Sequence, residues 1–358
     1  MMRFRTIDVF RGIAAVMVIF FHMQHLSILS GNAFIAKSDT FVDFFFVLSG
    51  FVMTHSNLKK IDDLASARQF VVKRFYRIYP LHLFTLLLML GFESFRYVVD
   101  RFFVPLTNPV FEKNNLLSFL ANLTLTQALG LFDSVTWNDP SWSISAEFYV
   151  YILWALSLLV FRKNLVALCG TYLALVAWFI AAHGGNIIYN YDYGFIRCLY
   201  GFLVGVLTYR VHQNLVPPAG FRFNSVLEGA VAALTLVFLY SFTHPTSWLM
   251  PLWFAVVILV FSREAGAVSG VLSRPRFEFL GNLSYSYYLN HFIVLAAMDL
   301  FLFKVLKLPH TAWGEWVYLL VCLTLIHGMS VFTYRYVELR FQSKPHSKIK
   351  NRPAVASV

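Results

Sequence analysis

Eight ionisable side chains stand on segments apolar enough to enter a bilayer: Asp8, Arg11, His22, Asp43, Glu147, Arg197, His291 and Asp299. A charge at the centre of a span costs about 2.5–3.5 kcal/mol on insertion scales, so such residues persist where they face a protein interior, and often where they work there. In "RGIAAVMVIFFHMQH" (11–25) an arginine opens an apolar run and a histidine closes it. On one helix Asp8 and Arg11 are close enough to pair. Arg11 and His22 share that face about 16 Å apart. Near neutral pH an imidazole is the side chain best suited to take and return a proton. Asp43 opens the second span and Glu147 the fourth, so two carboxylates are expected at a depth similar to that of His22.

The same residues admit plainer readings. A histidine in a span also serves as a helix–helix hydrogen bond, and Ser143 and Glu147, at i and i+4 in "SWSISAEF", also serve as a polar contact. "FVDFFFVLSGF" places Ser49 and Gly50 where small residues let helices approach. The tyrosine-rich face around Tyr288 and His291 suits substrate stacking or simple packing. Arg74 and Arg77, one turn apart in "ARQFVVKRFYRIYP", precede Pro80, which suits the first turn of a span. They either hold their loop on the cytoplasmic side and snorkel to lipid phosphate, or clamp a phosphorylated cytoplasmic ligand bidentately. His22 and His25 supply too few ligands for a metal, and none is expected.

Elements long enough to position these groups follow from composition. The 358 residues are 58% hydrophobic and 13% charged, too little polar surface for a soluble protein of this length. An all-α, polytopic membrane bundle is expected, with ten spans near 7–29, 41–57, 78–97, 142–161, 165–183, 194–211, 226–243, 246–262, 280–303 and 313–335. The first is read as a retained helix and not a cleaved signal peptide, because Arg11 and His22 lie within it. Segments assigned to the cytoplasmic side carry 21 Lys and Arg against six outside, so both termini are expected inside. "LLSFLANLTLTQALGLF" (116–132) would reverse that pattern if it crossed, and is read as a re-entrant or interfacial helix. One membrane domain, 1–340, and a basic cytoplasmic tail, 341–358, complete the organisation. The net charge of +11 sits in short loops and at the C-terminus, which argues against nucleic acid. Cys169, Cys198 and Cys322 lie in apolar segments and give no disulfide framework.

Five blocks in order, "DVFRGIAAVMVIFFH", "FVDFFFVLSGF", "KRFYRIYP", "DPSWSISAEF" and "FLGNLSYSYYLNH", resemble the signature blocks of the acyltransferase-3 family of integral membrane acyltransferases. The resemblance runs from residue 6 to about 340. It implies transfer of an acyl group, most often acetyl, from cytoplasmic acyl-CoA to a carbohydrate or glycolipid hydroxyl at or beyond the plasma (inner) membrane. The family's essential arginine and histidine match Arg11 and His22, and its paired arginines match Arg74 and Arg77. Its phenylalanine–serine–glycine block matches Phe44, Phe45, Ser49 and Gly50, and its serine–glutamate block matches Ser143 and Glu147. The tyrosine–histidine block matches Tyr285, Tyr288 and His291, with Asn290 where an aromatic residue is common. Some relatives add a soluble esterase-like domain; here the membrane part is expected to act alone or with a partner.

The expected catalytic set is therefore His22 as base with Asp43 or Glu147 orienting it. Arg11, Arg74 and Arg77 are expected to hold acyl-CoA, a donor substrate and not a tightly bound cofactor, while Ser49, Ser143, Tyr288 and His291 line the substrate path. A proton-coupled carrier is the rival class, since buried charges also mark ion pathways, but the chain shows neither inverted repeats nor paired broken helices.

Overall fold

The computed structural model describes residues 4–342 apart from 104, 107, 162, 163, 216, 217, 219 and 310. Residues 343–358, which hold nearly all of the expected basic tail, lie outside the described residues. Among those described, the chain forms helices and no strand. In order these are α1 (Arg5–His22), α2 (Ala33–Ala36), α3 (Phe41–Asn57), α4 (Leu64–Phe102), α5 (Leu116–Leu123), α6 (Trp142–Phe161), α7 (Leu165–Ala182), α8 (Gly194–Gln213), α9 (Phe221–Ser241), α10 (Leu249–Phe261), α11 (Ala267–Leu272), α12 (Glu278–Met298), α13 (Ala312–Thr333) and α14 (Leu339–Gln342). π-Helical turns extend α12 through Asp299–Val305 and α13 through Tyr334–Glu338.

Each of the ten expected spans coincides with a helix, and seven helices are long and apolar enough to cross a membrane. The protein is a polytopic membrane helix bundle. The other three spans correspond to α1, which carries three charges, α3 with 17 residues, and α10 with 13.

Helix ends depart from the expected limits for local reasons. α1 stops at His22, where the Met23 N–H turns back to the Phe20 and Phe21 carbonyls, so His22 ends its helix instead of lying inside a span reaching 29. α4 does not begin at Pro80. It starts after Asp63, whose carboxylate accepts from the Ser66 N–H while the Ser66 hydroxyl accepts from the Asp63 N–H, a reciprocal cap. The helix runs on through Pro80 for 39 residues, about 58 Å. Arg74 and Arg77 are thus helical residues about three to four turns from its start. α5 spans eight residues, about 12 Å and far short of a crossing. The segment that follows it folds back among α4 and α6: the Tyr79 hydroxyl donates to the Leu123 carbonyl, and Ser145 donates to the Leu125 carbonyl.

Two parallel helix pairs form the centre. Along α3 and α8, a methyl added to Gly50 would strike the Phe202 carbonyl, and one added to Gly205 would strike the Val47 carbonyl. Along α1 and α12, Gly12 abuts the Leu280 backbone and Gly281 abuts that of Asp8. With no hydrophobic driving force between helices in lipid, close packing of this kind carries association. It also brings the polar residues of α1 and α3 against named partners on α12 and α8.

Candidate active site

Seven of the sequence candidates, Arg11, Ser49, Arg74, Arg77, Ser143, Glu147 and Tyr288, line one cavity of about 170 Å³ between α1, α3, α4, α6 and α12. The contact of Gly12 and Gly281 sets Arg11 against α12, where its Nε donates to Ser284 Oγ at 2.8 Å and its Nη2 to the Gly281 carbonyl at 2.6 Å. Asp8 stands 3.4 Å from the same guanidinium. Arg77 donates to Glu338 Oε2 at 2.6 Å and lies over the Tyr285 ring. The Glu338 side chain is fully buried and its other oxygen accepts from Ser286 at 2.5 Å.

Arg74 is held differently. It packs over Phe70, and its buried Nε has no hydrogen-bond partner among the described residues. Facing these cations, Glu147 Oε1 accepts from Ser49 at 2.6 Å and from Tyr151 at 2.5 Å. Phosphate-type ligands are well matched by such guanidinium groups.

At the far wall, Ser143 and Tyr288 bond through their hydroxyls at 2.8 Å and both reach the Pro140 carbonyl. Behind Tyr288 lies the histidine pair. The His291 ring centre is 6.2 Å from that of Tyr288 and 4.9 Å from that of His22. His22 Nδ1 lies 2.9 Å from the Val18 carbonyl and 3.3 Å from His291 Nε2. His291 Nδ1 lies 3.1 Å from the Tyr287 carbonyl. A carbonyl only accepts, so each neutral ring carries its proton on Nδ1. His291 Nε2 shares the His22 Nδ1–H as the longer of its two acceptors, and His22 Nε2 keeps its lone pair.

Neither carboxylate expected to orient His22 does so. Asp43 takes Arg197 in a two-point ion pair, Nε to Oδ1 at 2.9 Å and Nη2 to Oδ2 at 2.8 Å, and Glu147 is bound by Ser49 and Tyr151 as described. The reason is register: Asp43 lies on the face of α3 that packs into α8, where Gly201 lets the helix come against Phe46 one turn on and Arg197 reaches the carboxylate. His291, not a carboxylate, touches the His22 ring.

Residues 4–335 match the acyltransferase domain of the acyltransferase-3 family. The chain belongs to that family. It is 28% identical, over 99% of its length and 88% of the relative, to a protein of Komagataeibacter xylinus provisionally named membrane-bound transacylase BcsY. It is 22% identical, over 97% of its length, to a protein of Staphylococcus aureus strain COL provisionally named an O-acetyltransferase, of which it spans 59%. A Rhizobium radiobacter protein called protein 2 in the picA locus is 31% identical over 43% of this chain and 81% of its own. No solved structure matches significantly. The protein is an acyltransferase of this membrane family.

Two further residues of this acyltransferase, Glu338 and Asp139, do not stand out in the sequence, and the contacts of Asn290 do not follow from it. Glu338 anchors Arg77 from the π-helical end of α13, 261 positions away. Asn290, where the family favours an aromatic, donates to Thr333, which in turn donates to Ser286 beside Glu338. Asp139 is the half-buried carboxylate whose charge acts on both His22 and Lys113. It stands four residues before Ser143 in "DPSWSISAEF", yet nothing in a one-dimensional spacing turns it toward α1.

Proposed function

We propose that the protein is a plasma-membrane O-acyltransferase that moves an acyl group, acetyl by default, from cytoplasmic acyl-CoA to a hydroxyl of a carbohydrate or glycolipid on the other side. The observation that supports this reading is the adjacency of two chemistries: a cavity lined by three arginines ends at Tyr288, and the His291–His22 pair, outside that lining, stands next to the Tyr288 ring.

Arg74, with its unbonded Nε, makes the direct contact to donor phosphate; Arg77 is held in place by Glu338 and adds to the field. The thioester reaches toward Tyr288. His22 Nε2 takes the acceptor hydroxyl's proton as the oxygen attacks the thioester carbonyl. A C–O bond forms, the C–S bond breaks, and the proton passes from His22 to the departing thiolate. The Val18 carbonyl accepts the His22 Nδ1–H and holds that tautomer, with His291 Nε2 as a second, longer acceptor, the orienting role a carboxylate plays in a hydrolase triad. Ser49 and Ser143 are bonded to Glu147 and Tyr288 and do not touch either histidine, which supports direct transfer over an acylated serine.

Purified protein in lipid nanodiscs, given acetyl-CoA labelled in the acetyl group, should release CoA and pass label to an acceptor or to water. His22→Ala should lower this at least 100-fold while acetyl-CoA still binds, consistent with the 10²–10⁴-fold worth of a general base. Intact label with wild-type protein supports the carrier class instead, and unchanged turnover in His22→Ala removes the histidine from the chemistry.

A further inference from the structure

A second cavity, of about 560 Å³, opens at the other end of the bundle from Arg74 and shares no residue with the first. Its walls are one face of α4, one face of α12 with its π-helical extension, and residues between them that include Asn108, Pro109, Glu112, Lys113 and Asn114. Phe292 belongs to it, and the Phe292 ring centre is 5.9 Å from that of His22. Lys113 belongs to it too, and acts electrostatically on the same Asp139 that acts on His22. Asp299, also in the wall, lies 3.5 Å from the ring of His25, one turn past His22. One ring contact with His22, one electrostatic partner shared through Asp139 and one contact with the neighbouring His25 therefore place this cavity beside the end of α1, and its lining is separate from the arginine-lined one.

We propose that this second cavity is the acceptor subsite and that it takes a neutral, hydroxyl-rich sugar. The assignment rests on the acyl-transfer reading given above and adds the place and charge type of the second substrate. Its volume falls within the range of about 300–1,000 Å³ usual for small-ligand sites. The lining has three cations, Arg96, Lys113 and Lys304, and three carboxylates, Glu93, Glu112 and Asp299. That balance disfavours an ionic ligand of either sign and offers donors and acceptors to many hydroxyls at once. Arg96 donates to Glu93 at 2.8 Å and to the Asn108 carbonyl, so this pair builds the wall. Lys113, Glu112 and Lys304 are exposed and available to a ligand. Trp137 and Phe292 add aromatic surface, Trp137 being fixed edge-on to Phe119. CoA phosphates, by contrast, match the arginine-lined cavity.

The test is CoA release by nanodisc-embedded protein titrated with methyl glucoside, methyl galactoside or the methyl glycoside of N-acetylglucosamine, with methyl glucuronide and methyl glucosaminide as charged comparators. At least one neutral glycoside should accelerate release saturably. In Lys113→Ala/Lys304→Ala, which alters two exposed side chains, and in Ala296→Trp, which fills the cavity, half-saturation by that glycoside should rise at least tenfold. Half-saturation by acetyl-CoA should move less than twofold. Acceleration by none of the neutral glycosides, a preference for either charged comparator, or glycoside half-saturation unmoved in both variants overturns the assignment while leaving acyl transfer intact. Absence of any CoA release from wild-type protein is the separate failure of the acyltransferase reading itself.

Discussion

Two buried arginine–carboxylate pairs in this bundle have nearly the same bond lengths and different work. Arg197 and Asp43 bond at 2.8 and 2.9 Å with side chains 3% and 1% exposed, sealed between α8 and α3 where glycines bring the backbones together. Arg77 and Glu338 bond at 2.6 Å, but the Arg77 side chain is 30% exposed and lines the cavity. The first pair joins helices; the second holds a cation at the wall of a cavity. Exposure of one partner to a cavity, and not the ion pair itself, separates architecture from function.

The contrast is broken most sharply at the sealed pair. Asp43→Ala strands a guanidinium in the interior and should cost about 3–5 kcal/mol, read as lost melting temperature in detergent and lost abundance in the membrane. Asp43→Leu/Arg197→Met should recover most of it, because an apolar pair of similar volume replaces both charges. If the double variant is stable yet devoid of acyl transfer, Asp43 or Arg197 has a chemical role after all.

At the cavity the same operation should split by residue. Arg77→Ala leaves Glu338 buried without its cation, so stability and donor affinity fall together. Arg74→Ala removes no hydrogen bond between protein groups that the structure shows at Nε. It should raise half-saturation by acetyl-CoA about 10- to 100-fold, the worth of a charge-assisted bond of about 1.5–3 kcal/mol, with melting temperature moved by less than two degrees. Equal loss of stability in both variants would erase the distinction.

The smallest effect concerns Asp39, in the segment before α3 and beside the sealed pair. Burial raises its carboxyl to about 6 from the usual 3.8, against the pull of Arg197. The folded protein therefore binds this proton more tightly than the unfolded chain, so stability from this group is greatest below pH 4 and declines as pH rises towards 6. Asp39→Asn should melt with wild type near pH 4 and slightly above it at pH 7.5. A variant less stable than wild type at pH 7.5 would show the ionised carboxylate serving the Arg197 cluster.

Much of this is legible in the sequence because lipid imposes a strong rule: each of the ten apolar runs is a helix, and Arg11 and Glu147, two of the eight residues whose charge is costly in a span, line the first cavity beside Arg74 and Arg77. What escaped was rotational and terminal detail. Asp43 and Arg197 were both visible as intramembrane charges, but their pairing spans 154 positions and depends on which glycine faces meet. Pro80 looked like a helix start because proline suits a first turn, whereas the capping pair Asp63–Ser66 sets the start more than four turns earlier. His291 was seen, but not as the partner of His22. The parallel packing of α1 on α12 decides that, and neither helix carries the other's register.

Tyr288 acquires a second significance from its position. The first chamber ends at its phenol ring and its hydroxyl-to-hydroxyl bond with Ser143, the two imidazoles come next, and Phe292 of the second chamber packs against His22. On the proposed reading, in which donor and acceptor approach from opposite sides, the enzyme must not also pass protons or ions, and a single ring at this point would let an acyl unit be handed on without opening an aqueous duct. Fidelity of the barrier and turnover of the enzyme would then depend on the same side-chain torsion.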